Sequence, residues 1–409
     1  MRILFISRWY PYPPDNGSKI RIYNMLRQLS RRYEISLVSF READDQVDSA
    51  RIEHVRGFCS EVRVVPYREY NPSSPGALLG LLSTQPRYLI DTHSREMDMA
   101  IRDACRSLSP DLVLASQMDT LPYALRVGGP IVLEELELAV HREAIRRSRT
   151  TPGRIRARLS WAKLASYLRS TLPRVSVCTV VSERERQHLL TAAPAYQRVA
   201  VLPNAVDVRT YDFASEAVVR NTLVFCGSLT YRANYDALLY FLTEIYPLIV
   251  QRVPDVKLYV TGSTTGVDLA SLPDQPGVIY TGRLTDVRPL VASCSASVVP
   301  LRVGGGTRLK ILESMALGTP VVSTSKGAEG LDASDNEHVF ITDSAPQFAR
   351  RTVELMQSPE TRLRMGWNAR RLVEDRYDWA VIGQRLDDLL ERAVSTWSTQ
   401  AHVSRECTG

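Results

Sequence analysis

The sequence is poor in cysteine, and it does not group the cysteines that it has. The six are scattered, with no CxxC motif and no spacing typical of a metal site: Cys59, Cys105, Cys178, Cys226, Cys294 and Cys407. The six histidines are equally isolated, since none lies within one helical turn of another histidine or of a cysteine. This distribution excludes a disulfide-stapled fold and a zinc-finger type of site, and it indicates reduced, buried thiols.

Long apolar runs are absent as well. No stretch reaches the length of a membrane span, and the chain starts directly with the strand-like run RILFIS, with no signal peptide ahead of it. The composition is otherwise ordinary and shows no low-complexity segment. We therefore expect a cytoplasmic protein, and its 409 residues predict two domains rather than one.

The net charge of +6 is concentrated in one segment, residues 141–170. The segment has a single acid, Glu143, and nine basic residues: Arg142, Arg146, Arg147, Arg149, Arg154, Arg156, Arg158, Lys163 and Arg169. Apolar residues such as Ile155 and Leu159 are interleaved, which is typical of a basic helix on an anionic membrane, here the inner face of the plasma membrane. A solvated helix that packs its apolar side on its own domain explains the pattern equally well. We predict no nucleic-acid partner.

Apolar runs of strand length alternate with helical patterns along almost the whole chain. In residues 1–203 the strand candidates are 2–7, 34–40, 61–67, 111–116, 130–135, 175–182 and 198–204. In residues 204–377 they are 222–228, 256–262, 277–282, 295–301, 320–325 and 338–342. The alternation predicts two α/β domains, each with a doubly wound parallel sheet. We expect a last helix at 378–396 and a polar tail at 397–409.

The stretch PLRVGGGTRLKILESMALGTPVV, residues 300–322, has the features of a phosphate-binding loop. An apolar run leads into residues whose backbone N–H groups we predict to bind the donor: Gly304, Gly305, Gly306 and Thr307. The hydroxyl of Thr307 can also cap the helix that follows, whose dipole favours an anion. Lys310 and Glu313 share one face of this helix, so a cation for phosphate lies beside a carboxylate for hydroxyls.

The loop after the first strand, WYPYPPDNGSKIR, is stiffened by proline and aromatic residues. In open α/β sheets, ligands bind at the carboxyl ends of the strands. We therefore predict that Asn16, Gly17 and Arg21 contact the acceptor or a phosphate, although an ordinary connecting loop explains the same residues.

Several motifs spread over nearly the whole chain carry a family resemblance. They are MRILFISRWYPYPPDNGSKIR, VVSERE, VLPNAVDV, LVFCGSL, LYVTGS, TGRLTDVRPL and GGGTRLKILESMALGTPVVST. The chain resembles the GT-B glycosyltransferases of family 4, the retaining group 1 type. The resemblance implies two Rossmann-like domains that face each other across a cleft, with the C-terminal helix crossing back to the N-terminal domain. It also implies that the C-terminal domain binds a nucleotide-sugar donor and the N-terminal domain an acceptor.

Two departures from the family pattern affect the donor site. The family has two glutamates in an E-x7-E arrangement; Glu313 matches the second, which holds the ribose, and the first falls on Gly305. Backbone N–H groups of the glycine stretch can replace that side chain. The family also has an arginine and a lysine after the first strand of the second domain; here the loop reads GSLTYRANYD, with Ser228 at the usual arginine position. We still expect Gly227 and Ser228 to contact the donor.

The phosphate charge must then be carried by other cations. We assign this role to Arg232, or to Arg308 and Lys310, and we regard the last two as catalytic because they can stabilise the leaving diphosphate. Glu134 and Glu135 end the fifth strand, and Glu134 is our candidate to activate the acceptor hydroxyl. A structural charge at a helix N-terminus is the alternative.

No Asp-x-Asp motif of the kind that holds a divalent metal ends an apolar strand, so we predict no metal and no other cofactor. Taken together with the resemblance, which implies retention of the anomeric configuration, the sequence predicts a hexosyltransferase that uses a nucleoside-diphosphate sugar and a lipid-linked or polysaccharide acceptor. Two alternatives stay open: a non-catalytic GT-B homologue that serves as a binding subunit, and a nucleotide-sugar 2-epimerase.

Overall fold

The chain folds into two compact units. The computed structural model describes residues 1–43, 45–148, 150–212, 218–304 and 308–406. Unit 1 consists of Met1–Pro203 together with Ile382–Gly409, and unit 2 of Asn204–Val381. Each unit has its own parallel sheet with helices in the connections, which is the two-domain α/β architecture that the alternation of strands and helices predicts.

The sheet of unit 1 has seven parallel strands in the order β3-β2-β1-β4-β5-β6-β7. They are β1 (Arg2–Ser7), β2 (Glu34–Arg41), β3 (Glu61–Pro66), β4 (Leu112–Ser116), β5 (Ile131–Glu134), β6 (Val177–Val180) and β7 (Val199–Val201). Every residue of β4 and β5 is buried. Because successive side chains point to opposite faces, this sheet is covered on both faces.

Helices connect these strands and cover the sheet. They are α1 (Gly17–Leu29), α2 (Ser49–Arg56), α3 (Pro75–Leu79), α4 (Arg87–Asp91), α5 (Arg95–Leu108), α6 (Leu121–Val127), α7 (Ala139–Arg147), α8 (Thr151–Thr171) and α9 (Glu183–Ala192). Side-chain caps fix several starts; the Asn16 side chain, for example, accepts a hydrogen bond from the backbone N–H of Lys19 at the start of α1.

The sheet of unit 2 has six parallel strands in the order β10-β9-β8-β11-β12-β13. They are β8 (Thr222–Cys226), β9 (Lys257–Thr261), β10 (Val278–Gly282), β11 (Ala296–Val299), β12 (Val321–Ser323) and β13 (Phe340–Ile341). The helices of unit 2 are α10 (Arg232–Tyr240), α11 (Tyr246–Val250), α12 (Arg288–Ser293), α13 (Leu309–Ala316), α14 (Ala345–Gln357) and α15 (Pro359–Arg376). The last helix, α16 (Trp379–Glu406), begins at the end of unit 2 and belongs to unit 1 from Ile382 onward.

Two helix ends differ from the sequence-based expectation. Helix α13 begins at Leu309 with Arg308 as its N-cap, not with Thr307, which lies outside the described residues. Helix α16 continues to Glu406, so residues 397–406 are not a polar tail. Because this stretch contains neither glycine nor proline, nothing in the sequence stops the helix at residue 396.

Two findings concern the described part of the chain as a whole. No described helix combines the length and the apolar character that crossing a lipid bilayer requires. The cysteines at 59, 105, 178, 226 and 294 are free thiols.

Candidate functional site

Both sheets reverse their strand order at one place, which is where ligands bind in folds of this kind. In unit 2 the order reverses between β8 and β11, and in unit 1 between β1 and β4. At such a switch point, the loops that leave the carboxyl ends of the two strands run in opposite directions and leave room for a ligand. In unit 2 these loops carry Gly227 after β8 and Gly304 after β11.

Two glycines at the carboxyl edge of the unit 2 sheet pack backbone against backbone. Gly227 follows β8 and Gly262 follows β9, with φ angles of 147° and 124°. A β-carbon on Gly262 would lie 2.5 Å from the carbonyl carbon of Gly227 and 2.6 Å from the amide nitrogen of Ser228. A side chain at residue 262 would therefore push the loop after β8 out of its position.

The ammonium group of Lys310 lies against this loop. Its Nζ donates a hydrogen bond to Oδ1 of Asn234 at 2.8 Å, and Nδ2 of Asn234 donates to the carbonyl oxygen of Ser228 at 2.8 Å. A β-carbon on Gly227 would lie 2.7 Å from Nζ of Lys310, so glycine at this position leaves space for the cation. Burial lowers the pKa of Lys310 to about 8.

Glu313 lies three residues beyond Lys310 on α13 and is held by a tyrosine. The hydroxyl of Tyr211 donates a hydrogen bond to Oε1 of Glu313 at 3.3 Å. Burial raises the pKa of Glu313, while the Tyr211 hydrogen bond and the charge of Lys310 act in the opposite direction. One helix face thus carries a cation beside the glycine edge and a carboxylate one turn further along, as the sequence predicts.

Arg308 adds a second cation at the start of α13. It is 7% exposed, and its guanidinium nitrogens lie 3.4 and 3.5 Å from the position that a β-carbon on Gly304 would take. Gly304 has a φ angle of 109°, which favours glycine. The positive charge of Arg308 contributes to the lowered pKa of Lys310. The other predicted donor residues of this loop lie outside the described residues: Gly305, Gly306 and Thr307.

Two further predicted donor residues are Ser228, in the loop between β8 and α10, and Arg232, at the start of α10. The hydroxyl of Ser228 lies 2.7 Å from the hydroxyl of Thr230 and 3.3 Å from the carbonyl oxygen of Ser263. Arg232 is the first residue of α10, and its side chain is exposed. The structure thus brings Gly227, Ser228 and Lys310 together, while Arg232 lies at the surface.

In unit 1, the predicted residues Arg21 and Glu134 bind each other inside the fold. Arg21 is 1% exposed and Glu134 is fully buried. Nε of Arg21 donates to Oε1 of Glu134 at 2.6 Å, and its terminal nitrogens donate to the carbonyl oxygens of Leu202 and Pro203. Oε2 of Glu134 accepts from Ser116 at 3.2 Å. These contacts join α1, β4, β5 and the end of the first segment of unit 1.

This burial separates Arg21 from the other two residues predicted in the first loop. Asn16 and Gly17 are exposed at the start of α1, where the Asn16 side chain serves as the helix cap. Arg21 instead points into the interior, because it lies one turn further along α1 and pairs with Glu134. The sequence-based interpretation places Arg21 in the loop, where it contacts a ligand. In the structure Arg21 lies inside the fold instead.

Next to Glu134, a second carboxylate lies in a different environment. Glu135 is 5% exposed and has a φ angle of 57°, in the left-handed region that few residues other than glycine adopt. Its Oε2 accepts a hydrogen bond at 2.9 Å from Nε2 of Gln117, which follows β4 and has a φ angle of 69°. Oε1 of Gln117 accepts in turn from Nε1 of Trp9, in the loop after β1, at 3.0 Å.

This network lies at the switch point of unit 1, between the ends of β1 and β4 and beside β5. Burial is the main reason why the pKa of Glu135 rises to about 8, and the adjacent charge of Glu134 adds to the effect. The positive charge of Arg21 and the hydrogen bond from Gln117 lower the pKa of Glu135, while the negative charge of Glu137 raises it. Strained backbone and a shifted carboxyl pKa in one place are typical of functional sites.

Sequence reasoning did not single out Asn234, Tyr211 or Gln117 as site residues. Gln117 directly follows β4, and that position is a usable signal, whereas Asn234 lies in the first turn of α10, after the loop that leaves β8. Tyr211 is far from Glu313 in the sequence, so only the fold brings it there. In the described ranges, no group of three or more His, Cys, Asp or Glu residues is arranged to hold a metal ion.

Comparison with known proteins identifies the class. Residues 220–358, about a third of the chain and all within unit 2, match the family model described as glycosyl transferases group 1. The two α/β units together match solved GT-B structures over almost the whole chain. The chain therefore has the GT-B fold, and residues 220–358 of unit 2 are similar to the group 1 glycosyl transferases. Its membership of family 4 in particular stays a prediction.

Individual relatives are distant in sequence. A GDP-mannose-dependent monoacylated alpha-(1-6)-phosphatidylinositol monomannoside mannosyltransferase from Corynebacterium glutamicum is 27% identical over 249 residues, which are 55% of this chain and 64% of the relative. The chain spans less than two thirds of the length of the curated relatives that it matches.

Two solved structures cover nearly the whole chain. Anabaena Alr3699/HepE in complex with UDP-glucose gives a TM-score of 0.66 at 14% identity, over 96% of this chain and 99% of that one. Sucrose-phosphate synthase from Thermosynechococcus elongatus gives a TM-score of 0.70 at 14% identity, over 97% and 99%. At these identities the likeness concerns the fold.

The buried pair in unit 1 leads to a prediction about stability. Glu134→Ala leaves the Arg21 guanidinium buried without its carboxylate, which costs about 3–5 kcal/mol. We expect the free energy of unfolding of unit 1, measured by urea titration, to fall by an amount of this size. Glu53→Ala is the control, because that side chain is 75% exposed and pairs only with Arg56 at 3.6 Å; its cost should stay within about 0.5 kcal/mol. Equal shifts for the two variants would contradict a stabilising role of the pair.

The lowered pKa of Lys310 leads to a prediction about ligand binding. A pKa of about 8 means that Lys310 is charged at pH 7 and mostly neutral at pH 9. We therefore expect the affinity for UDP or GDP, measured by calorimetry, to fall by up to about tenfold between these values. Lys310→Arg should remove this fall because arginine stays charged, and Lys310→Met should bind weakly at both values.

A control separates this effect from general effects of pH. Lys326 lies in the same unit and pairs with Glu329 at 2.6 Å. Lys326→Met should keep both the affinity and the pH dependence of the unaltered protein. A fall in affinity that persists in Lys310→Arg would show that another group titrates.

Proposed function

We propose that this protein is a retaining glycosyltransferase, which moves a sugar from a nucleoside-diphosphate sugar to a lipid-linked or polysaccharide acceptor without a metal ion. One observation carries the proposal: the Lys310 ammonium is fixed by Asn234 beside Gly227, one helix turn from the carboxylate of Glu313. A fixed cation beside a glycine backbone fits a diphosphate. A carboxylate at this distance along the helix fits the hydroxyls of a ribose.

The chemical step explains why these cations are needed. The acceptor oxygen forms a bond to the anomeric carbon, and the bond from that carbon to the phosphate oxygen breaks. The electron pair stays on the leaving diphosphate, and Lys310 and Arg308 stabilise this charge. Each charge-assisted hydrogen bond is worth about 1.5–3 kcal/mol, so the loss of one should slow turnover by roughly one to two decades.

Unit 1 supplies the acceptor side in this proposal. In this proposal Glu135, rather than Glu134, accepts the proton of the acceptor hydroxyl, because the charge of Glu134 is neutralised by Arg21 in the interior. Glu135 has one oxygen bonded to Gln117 and a pKa of about 8, which suits a general base. Arg21 and Glu134 then act as positioning residues, which fix the end of β5. Asn16 and Gly17 remain candidates for acceptor contact.

Two similar proteins indicate the classes of donor and acceptor to test. The relative from Corynebacterium glutamicum uses GDP-mannose and a phosphatidylinositol mannoside, while the Anabaena structure contains UDP-glucose. The lipid acceptor of the first relative and the basic segment 141–170 support work at the inner face of the plasma membrane.

The test of the function begins with UDP-, GDP- and ADP-sugars in a thermal-shift panel. We expect one donor to stabilise the protein, by about 2.7 kcal/mol at a hundred times its dissociation constant. With that donor, NMR should show release or transfer of the sugar with retained configuration, and EDTA should leave the rate unchanged. An epimer formed from the donor alone would indicate an epimerase. Binding without turnover would indicate a binding subunit.

A variant of Glu313 links the panel to the site. Glu313→Gln should weaken the donor about tenfold to a hundredfold and should remove the preference for the ribonucleotide over its deoxyribose analogue. Glu354→Gln is the control, because this glutamate lies in the same unit and pairs with Arg351 three residues before it. A preserved ribose preference in Glu313→Gln would place the ribose elsewhere.

The role of Glu135 predicts the pH dependence of the rate. At saturating donor the rate should rise with pH, with the midpoint of the rise at about 8, because the carboxyl group must lose its proton to act as a base. Glu135→Gln should remove this rise and lower the rate about a hundredfold, while donor affinity stays unchanged. Glu96→Gln, at an exposed position of α5, is the control. An unchanged pH profile in Glu135→Gln would show that another group accepts the proton of the acceptor hydroxyl.

A further inference from the structure

Four leucines next to one another in the sequence are exposed in unit 1. Helix α3 and the turn after it present Leu78, Leu79, Leu81 and Leu82, which are 52%, 69%, 55% and 93% exposed. Scattered single apolar residues are normal at a protein surface, but a contiguous group of large ones marks an interaction site.

Hydrogen bonds attach the leucine segment, which consists of α3 and the turn after it, to the rest of unit 1. The hydroxyl of Ser74 caps α3 and bonds to the carboxylate of Asp91, which also accepts from the backbone N–H of Asn71 at 2.8 Å. Nε of Arg87 donates to the carbonyl oxygen of Ala77 at 2.7 Å. These contacts hold the base of the segment, so its exposed leucines are a constant feature of the surface.

A lysine joins this segment to the basic helix α8. Nζ of Lys163 donates to the carbonyl oxygens of Gly80 and Leu81 at 2.9 and 2.8 Å. Leu159 and Ile155 precede Lys163 by one and two helical turns on the same face, and they are 60% and 53% exposed. The apolar surface therefore continues from the leucine segment along α8.

Helix α8 has two halves with different surroundings. In the second half Leu164, Tyr167 and Leu168 are buried in the core, so this part packs on its own domain. The first half, residues 151–160, is exposed apart from two partly covered positions. It carries Arg154, Arg156 and Arg158 and no acid. The second half of the helix thus packs on its own domain, as one of the two interpretations of the basic segment predicts, and the first half leaves its basic and apolar side chains at the surface.

We propose that these residues form a membrane-docking surface for an anionic lipid bilayer. This leucine–arginine surface consists of Leu78, Leu79, Leu81, Leu82, Ile155 and Leu159 with Arg154, Arg156 and Arg158. The leucines enter the boundary between headgroups and acyl chains, and the arginines bind lipid phosphates. The link to the acceptor rests on the proposed function, but docking on lipid requires neither donor nor acceptor.

The charges favour lipid over a second copy of the chain. A symmetric dimer places the same patch on both sides of the interface, so the arginines of two copies would face each other. A nucleic acid would satisfy the arginines but would leave the leucines in water. An anionic bilayer satisfies both groups at once.

The experiment measures sedimentation of the full chain with phosphatidylcholine vesicles, with and without phosphatidylglycerol. We expect binding to the anionic vesicles and a decrease at high salt. Two variants should each bind at least tenfold more weakly: Leu79→Ser/Leu82→Ser, which loses apolar contact with the acyl chains, and Arg154→Gln/Arg156→Gln/Arg158→Gln. In the second variant each lost basic residue contributes on the order of fivefold to the affinity. Both should keep the thermal shift with nucleotide. Leu363→Ser, at an exposed position of α15, is the matched control.

A second measurement tests insertion directly. Leu82→Trp should be quenched by brominated lipids in anionic vesicles, and Leu363→Trp should not. Absent binding, equal binding to both kinds of vesicle, or unaltered binding of the leucine variant would overturn the proposal. The proposal would also be overturned if sedimentation showed a dimer for the unaltered protein and a monomer for the leucine variant, with the same lipid binding in both. If the unaltered protein does not bind anionic vesicles but still transfers sugar, the docking surface is refuted while the proposed enzymatic function stands.

Discussion

The hydrogen bond from the Lys310 ammonium to Asn234 is the interaction on which the proposed donor site depends. It fixes a cation at the edge of a parallel sheet, and it requires the absence of side chains around it. A β-carbon on Gly227 would collide with both partners of the bond, and one on Gly262 would displace the loop that carries Ser228. The glycines and the cation are therefore one arrangement, in which a change at any of the three positions disturbs the others.

The switch point of unit 1 is built on a different principle. There the charges of Arg21 and Glu134 cancel in the interior, and the cost of removing them from water is offset by four hydrogen bonds to Glu134, Ser116 and two backbone carbonyls. The pair fixes the end of β5. The next residue, Glu135, can then hold a backbone conformation that costs of the order of 1–3 kcal/mol. A rigid support is what allows that strain to persist beside Gln117.

Period and spacing predict the strands well because each is a short apolar run with a turn signal after it. The same reasoning places Lys310 and Glu313 on one helix face, since three residues make nearly one turn. It fails where side chains meet across the fold. Arg21 and Glu134 are 113 positions apart, so the sequence alone presents each as a free charge near a ligand. Tyr211 and Glu313 are likewise 102 positions apart. The extension of α16 was missed because polar composition indicates exposure, not the end of a helix.

The two units thus use the same kinds of charge in opposite ways. In unit 1 a cation and a carboxylate neutralise each other, which gives stability and leaves little for a ligand. In unit 2 each takes a neutral partner: Lys310 bonds to the amide of Asn234, and Glu313 to the hydroxyl of Tyr211. A neutral partner orients a charge without cancelling it, and an ammonium group has three donors, of which Asn234 engages one. Separation on one helix face keeps both charges in position for a ligand that carries phosphate at one end and hydroxyls at the other.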